Sequence, residues 1–357
     1  MEYKEILSIA PYSLEKKEKS ALLTEQLKEL TQYHYGNCKE YRNICDLLEY
    51  REDGISSYEE IPFVPVRIFK ELELKSMPEE ENFKTMTSSG TTGQKKSKIF
   101  LDRETSSNQQ KTLVKIVSDF TGKARLPMII MDCPSVIKNR AMFSARGAGI
   151  LGFSIFASDR MYAFDDDMKI NLEGIEAFLE KHQGKPILIF GFTFMIWQHF
   201  YKVLKESKKY VDLSNAVMIH GGGWKKLQAE AVEPLEFNRC LEEVCGIKKV
   251  YDYYGMVEQT GCIYMECECG HLHASIFSDV LMRRNDFSLC EIGEKGMIQV
   301  VSMLPKSYPG HSILTEDEGV ILGEDDCPCG RKGKYFKILG RIKNAEVRGC
   351  SDTYEQR

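Results

Sequence analysis

The chain has 357 residues, 43% of them hydrophobic and 28% charged, with a formal net charge of −5. That suits a globular protein with one large α/β domain or two smaller ones, and the acidic balance argues against non-specific nucleic-acid binding, which leans on a basic face. No apolar stretch follows the mixed-charge opening Met-Glu-Tyr-Lys-Glu, and the longest apolar run, Ile187 to Trp197, is too short to cross a bilayer. A cytoplasmic protein without membrane insertion is expected, so the twelve cysteines are read as thiols, metal ligands or catalytic groups rather than disulfides.

Taken in chain order, residues 13–50 space Leu14, Leu22, Leu23, Leu27, Leu30, Ile44, Leu47 and Leu48 among lysines and glutamates, which predicts two amphipathic helices. Ile61-Pro62-Phe63-Val64-Pro65-Val66 cannot be helical with prolines at that spacing and is expected as an extended connector. Next comes Thr87-Ser88-Ser89-Gly90-Thr91-Thr92-Gly93-Gln94-Lys95-Lys96, with almost nothing to bury. Glycines admit phosphate oxygens close to the backbone, hydroxyls and N–H groups donate to them, and lysine adds charge; the segment is either a polyphosphate loop or a plain surface loop. It is not a Walker loop, because its glycines are too close together and its lysine is displaced.

Lys98–Leu101 reads as a strand and Glu104–Asp119 as a helix. Beyond them, strand-like segments (126–131, 186–190, 216–219, 249–253) alternate with helix-like ones (173–182, 197–206, 230–244), which predicts a largely parallel sheet with crossover helices. Ligands of such sheets gather beyond the carboxyl ends of the strands. Two unusual segments fall there, His220-Gly221-Gly222-Gly223-Trp224 and Tyr254-Gly255-Met256-Val257-Glu258. From about Cys262 the texture changes to short strands, turns and clustered cysteines, a β-rich lobe. There, Asp317 ends a strand among acidic neighbours, where it could accept hydrogen bonds from ribose hydroxyls.

Two soft-ligand clusters in that lobe are separated by a mostly β-like segment, Cys267-Glu268-Cys269-Gly270-His271-Leu272-His273 and Cys327-Pro328-Cys329-Gly330. Thiolates and imidazole in a closed set suit a structural zinc, with Cys267, His273, Cys327 and Cys329 as ligands. Cys269 competes with Cys267, and His271 with His273. Near the end stands Cys350, whose neighbour Arg348 would help lower a thiol pKa.

In this order the motifs resemble those of the adenylate-forming ligases, and more closely the acyl-protein synthetase (LuxE-type) branch beside phenylacetate–CoA ligase. The narrower likeness rests on Ile61–Val66 with Phe69-Lys70, His220–Trp224, and Leu339-Gly340-Arg341 leading to Arg348-Gly349-Cys350-Ser351. It covers roughly residues 55–357. The resemblance implies an α/β adenylate-forming fold with a β-rich lobe, lacking most of the C-terminal domain of the larger ligases. The expected division is a helical segment 1–60, an α/β core 61–261, a zinc-containing lobe 262–340 and a tail 341–357 bearing Cys350.

It also implies a reaction: a carboxylic acid, first of all a fatty acid, attacks ATP to give an acyl-adenylate, and a thiol takes the acyl group. Thr87, Ser88, Ser89, Gly90, Thr91, Thr92 and Gly93, with Lys95 or Lys96, would bind the phosphates. Gly222, Gly223, Tyr254 and Gly255 would face the nucleotide, Glu258 would hold Mg²⁺, Asp317 the ribose, and Arg341 would sit at a hinge. Cys350 would accept the acyl group before transfer to a reductase or carrier protein. Departures are Val257, where the superfamily usually has a hydroxyl residue, and the missing catalytic lysine, for which Lys343 is a candidate by position. Two alternatives are direct delivery to coenzyme A or a carrier protein, with Cys350 a bystander, and a non-catalytic zinc-stabilised partner module. Phe190, Phe192, Phe194 and Trp197 could line an acyl pocket or be plain core.

Overall fold

A computed structural model describes residues 1–88, 95–138 and 145–342. These form two compact units, one of Met1–Asp119 with the residues from Gly255 onward, the other of Phe120–Tyr254.

The first unit opens with helix Lys16–Asn37, which buries Leu23, Leu27, Leu30 and His34 along one face, and helix Lys39–Leu47, which buries Tyr41 and Cys45. A capping box between Ser57 and Glu60 fixes the short turn before the proline segment. That segment is extended, as its prolines require, and holds strand β1 (Val64–Pro65). Strands β2 (Lys84–Thr87) and β3 (Lys98–Leu101) pair antiparallel. The expected strand 98–101 is therefore one arm of a hairpin whose other arm, polar and exposed but for the half-buried Met86, carries too little apolar pattern to be read from sequence.

The second unit is a parallel sheet of β4 (Leu126–Met131), β5 (Ala157–Tyr162), β6 (Ile187–Phe192), β7 (Ala216–Gly221) and β8 (Lys249–Tyr254), in the order β5-β4-β6-β7-β8. Every residue of β4, β6 and β7 is buried, which is why these segments read as unbroken apolar runs. Crossover helices include Leu172–Lys181, capped by the Asn171 side chain, and Pro234–Cys245. The latter starts with Pro at its first position and ends on Gly246 at φ 71°, a conformation costly for a residue with a Cβ. The expected helix near Trp197 is interrupted by a π-helical stretch, Ile196–Tyr201.

The chain then returns to the first unit. Strands β9 (Tyr264–Glu266), β10 (Leu272–His273), β11 (Ser278–Arg283), β12 (Lys295–Ser302), β13 (Ser312–Glu324) and β14 (Lys334–Arg341) pair antiparallel in the order β11-β12-β13-β14-β10-β9. The β-rich character expected from about residue 262 is present, and β1 adds to β13 in parallel. Helix Lys16–Asn37 is tied to this lobe by buried charge. Lys19 Nζ lies 3.3 Å from Asp279 Oδ1 and donates to the Ala274 carbonyl at 3.0 Å. Tyr58 donates to the other Asp279 oxygen, and Lys334 Nζ donates to the Tyr58 hydroxyl at 2.9 Å. No helix among the described residues is long and apolar enough to cross a membrane.

Candidate active site and metal centre

In the first unit the β2–β3 hairpin presents the Ser/Thr/Gly segment. Thr87 ends β2 and is exposed. The Ser88 N–H donates to the Ser97 carbonyl (3.1 Å), and the Ser97 N–H donates to Ser88 Oγ (2.9 Å), so the two ends of the segment are pinned together. Ser89, Gly90, Thr91, Thr92 and Gly93 lie outside the described residues. Lys95 and Lys96 are exposed, and Lys95 Nζ meets Glu71 at 2.6 Å. That exposed pair holds the lysine only weakly.

Gly255 opens the turn that carries Glu258. Glu258 is 2% exposed, in a short 3₁₀ turn, Val257–Gln259. The turn is held by its backbone and by its neighbour: the Tyr308 hydroxyl donates to the Glu258 carbonyl at 2.8 Å, and Gln259 Nε2 donates to the Val300 and Gly310 carbonyls at 3.1 and 2.9 Å. Gly310 is required there, because a Cβ would stand 2.9 Å from the Glu258 carbonyl oxygen.

Asp317 on β13 and Arg341 on β14 are partners in register, with Arg341 Nε 3.7 Å from Asp317 Oδ1. Glu316 beside them pairs with Arg67. Gly340 has φ 139°, so the backbone bends just before Arg341. Lys343 and Cys350 lie outside the described residues.

The four expected metal ligands are gathered within the same unit. One ligand atom from each of Cys267, His273, Cys327 and Cys329 lies within 4.8 Å of the others. Two similar knuckles supply the thiols. In each, a glycine N–H (Gly270, Gly330) donates at 2.9 Å to the carbonyl of the first cysteine. Both glycines have positive φ, 75° and 83°, which the tight reversal needs. β10 delivers His273, whose Nε2 is 3.4 Å from Cys329 Sγ, and Tyr335 on β14 stacks on both His271 and His273.

The two competing residues stay at the rim of this set. Cys269 is half-buried, and His271 Nδ1 reaches 3.4 Å from Cys327 Sγ. Burial drives the Cys267 and Cys327 thiols up (Cys327 to about 11) and His273 down to about 3. The imidazole is thus neutral, as a metal ligand must be, while the thiolates need a cation beside them.

In the second unit the glycine turn follows β7. Gly221 faces Tyr253 across the β7–β8 register, with room for no side chain: a Cβ would stand 2.5 Å from the ring. Gly222 has φ 76°, and it and Gly223 are exposed. Tyr254 ends β8, half-buried. Phe190, Phe192 and Trp197 are buried, and Phe153 stacks on Phe190 with ring centroids 4.2 Å apart.

Sequence reasoning missed two features of this unit. A buried ion pair stands beyond β4, with Arg146 Nε and Nη2 at 2.8 and 3.1 Å from the two oxygens of Asp132. Burial raises the Asp132 carboxyl although Arg146 opposes it. The other is the contact of His220 Nδ1 with Thr193 Oγ1 at 3.0 Å. Nothing in the local sequence marks Arg146 or Thr193; His220 was visible through its glycines.

Comparison with known proteins adds the following. The family described as acyl-protein synthetase, LuxE, matches residues 2–357. The long-chain-fatty-acid–luciferin-component ligase of Vibrio harveyi is 23% identical over 352 residues, covering 95% of this chain and 89% of that protein. Its namesake from Aliivibrio fischeri is 23% identical over 343 residues, covering 94% and 88%. Among solved structures, an open conformation of 2-hydroxyisobutyryl-CoA ligase in complex with 2-HIB-AMP and CoA superposes with a TM-score of 0.71 at 15% identity, covering 93% of this chain and 72% of that one. At that identity the likeness concerns the fold alone.

Proposed function

The chain belongs to the acyl-protein synthetase, LuxE family, and from that premise we propose that it activates a long-chain fatty acid with ATP and loads it on Cys350. The family match along the whole chain carries this reading. The fatty acid comes from the printed names of the Vibrio harveyi and Aliivibrio fischeri relatives.

In the first step a carboxylate oxygen attacks the α-phosphorus of ATP, the bond to the β-phosphate oxygen breaks, and pyrophosphate leaves. In the second, the Cys350 thiolate attacks the acyl carbonyl carbon, the bond to the AMP oxygen breaks, and AMP leaves. The thiol proton is lost to solvent. The adenylation step needs no protein nucleophile; positioning and charge neutralisation suffice. The thioester step needs a thiolate.

Thr87 through Gly93, with Lys95 or Lys96, would hold the polyphosphate. The pinned Ser88–Ser97 neck would restrain that loop. Asp317 would accept from the ribose hydroxyls, oriented by Arg341. Gly222, Gly223 and Tyr254 would face the base. Glu258 would hold Mg²⁺, a role suited to a carboxylate on an anchored turn; the cation would neutralise phosphate charge. Cys267, His273, Cys327 and Cys329 would hold a structural zinc, since three thiols and one neutral imidazole make a closed set. The acyl group would then pass to a reductase or carrier protein.

The test is incubation of the full chain with labelled fatty acid and ATP. A label released by neutral hydroxylamine and lost in Cys350→Ser is expected. A label that Cys350→Ser retains would contradict the assignment of the thiol.

A further inference from the structure

The glycine turn after β7 is gripped at both ends, and the grip at its start is a single hydrogen-bonded chain. Thr193 is the first residue after β6, 5% exposed. Its Oγ1 lies 3.0 Å from His220 Nδ1 and 3.4 Å from the Gly221 carbonyl. A hydroxyl has one proton to give. If it goes to the Gly221 carbonyl, the hydroxyl oxygen must accept from His220, so Nδ1 carries the imidazole proton. Asp252 Oδ1, 3.6 Å from the same nitrogen, favours that tautomer too. Phe237 packs against the ring, with centroids 4.7 Å apart.

At the far end, Trp224 sets its edge on Trp197 (5.0 Å) and Phe237 (6.0 Å). Trp197 is fixed in turn by its indole N–H, which donates to Glu230 at 3.2 Å. Between the two grips, Gly222 and Gly223 are exposed, with Phe192 and Tyr253 filling the space a side chain would need at Gly222 and Gly221.

We propose that His220 is a positioning residue, which through Thr193 fixes the Gly221 carbonyl and so presets the Gly222–Gly223 backbone for the nucleotide. The inference rests on the adenylating function proposed above. His220 does not touch the reacting atoms on this account; it lowers the cost of ordering the turn when ATP binds.

Four variants of the full chain separate this role from others. An asparagine amide can reproduce the Nδ1 donor and a glutamine amide the Nε2 position; serine keeps the hydroxyl that valine removes. The readouts are KM for ATP and kcat in ATP–pyrophosphate exchange, and the ATP-induced change in tryptophan fluorescence. The chain has two tryptophans, and both belong to the grip on the turn. Thr193→Val and His220→Gln are expected to raise the KM for ATP by about tenfold or more, with kcat changed far less. Thr193→Ser and His220→Asn are expected to restore it.

The proposal is overturned if His220→Gln binds ATP as the wild type does while His220→Asn fails, which would put the role on Nε2. It is also overturned if neither Thr193→Ser nor His220→Asn restores what the other two lose, or if none of the four changes KM. Should the wild type exchange pyrophosphate with no acid, the adenylating reading falls by itself. The positioning role then stands only if ATP still changes the fluorescence of the wild type and does so more weakly in Thr193→Val. No change in the wild type refutes both.

Discussion

Asp317 and Arg341 stand opposite each other on β13 and β14, and the proposed ribose contact turns on that register. Asp317→Ala is expected to raise the KM for ATP about 10- to 100-fold, the worth of charged hydrogen bonds of about 1.5–3 kcal/mol; exchange kinetics over a range of ATP concentration measure it. An unchanged KM would remove Asp317 from the site. At the Cys/His cluster, the four donor atoms are close enough to share one ion. Purified protein is expected to hold one zinc per chain, and Cys327→Ser or Cys329→Ser to lose most of it while Cys269→Ser keeps it. Metal analysis by mass spectrometry reads all three, and loss in Cys269→Ser alone would reassign the ligand set.

At the scale of elements, buried charge joins helix Lys16–Asn37 to β11 and β14. Burial alone would raise the Asp279 carboxyl, but Lys19 and Lys334 outweigh it and hold the group below its ordinary range. Asp279→Asn takes from the buried Lys19 its carboxylate partner and leaves Lys334 with Glu59; it is expected to cost about 3–5 kcal/mol of stability, read from urea denaturation. An effect below about 1 kcal/mol would mean the cluster is well solvated.

Because the folded pKa of Asp279 is depressed, its contribution is complete above the unfolded value of about 4 and fades as pH falls below it. The buried histidines act in a higher window. Burial holds His34 at about 3 and His311 well below its ordinary value, and the rings stack 4.9 Å apart. An unfolded histidine takes up a proton near pH 6.5, so stability is expected to fall from about pH 6.5 downward, before Asp279 begins to protonate. Denaturation midpoints at pH 7.5, 6 and 5 check this; a flat profile across them contradicts it.

These elements differ in how readable they were. The buried parallel strands β4, β6 and β7 announce themselves as apolar runs, and the paired Cys-x-Cys-Gly knuckles stand out by their spacing, which does not choose between Cys267 and Cys269. β2 does not stand out, since three of its four residues are polar and exposed. Nor does the link from Lys19 to Asp279, which joins residues 260 positions apart; only the packed fold brings such groups together. The π-helical turn at Trp197 is likewise invisible, because its hydrophobic spacing resembles that of an ordinary helix.

At the scale of the whole chain, two kinds of sheet carry different tasks. The parallel sheet of Phe120–Tyr254 carries the glycine turn after β7, while the antiparallel lobe carries Asp317, Arg341 and the Cys/His cluster. The resemblance read from ordered motifs and the family match over residues 2–357 agree on the class of enzyme; the acid and the acyl acceptor are proposals. The most direct measurement is ATP–pyrophosphate exchange by zinc-loaded protein against carboxylic acids from aromatic to long-chain. Exchange that depends on added acid and is strongest with long-chain fatty acids is the predicted result. No exchange with any acid, from folded and metal-loaded protein, would contradict the account.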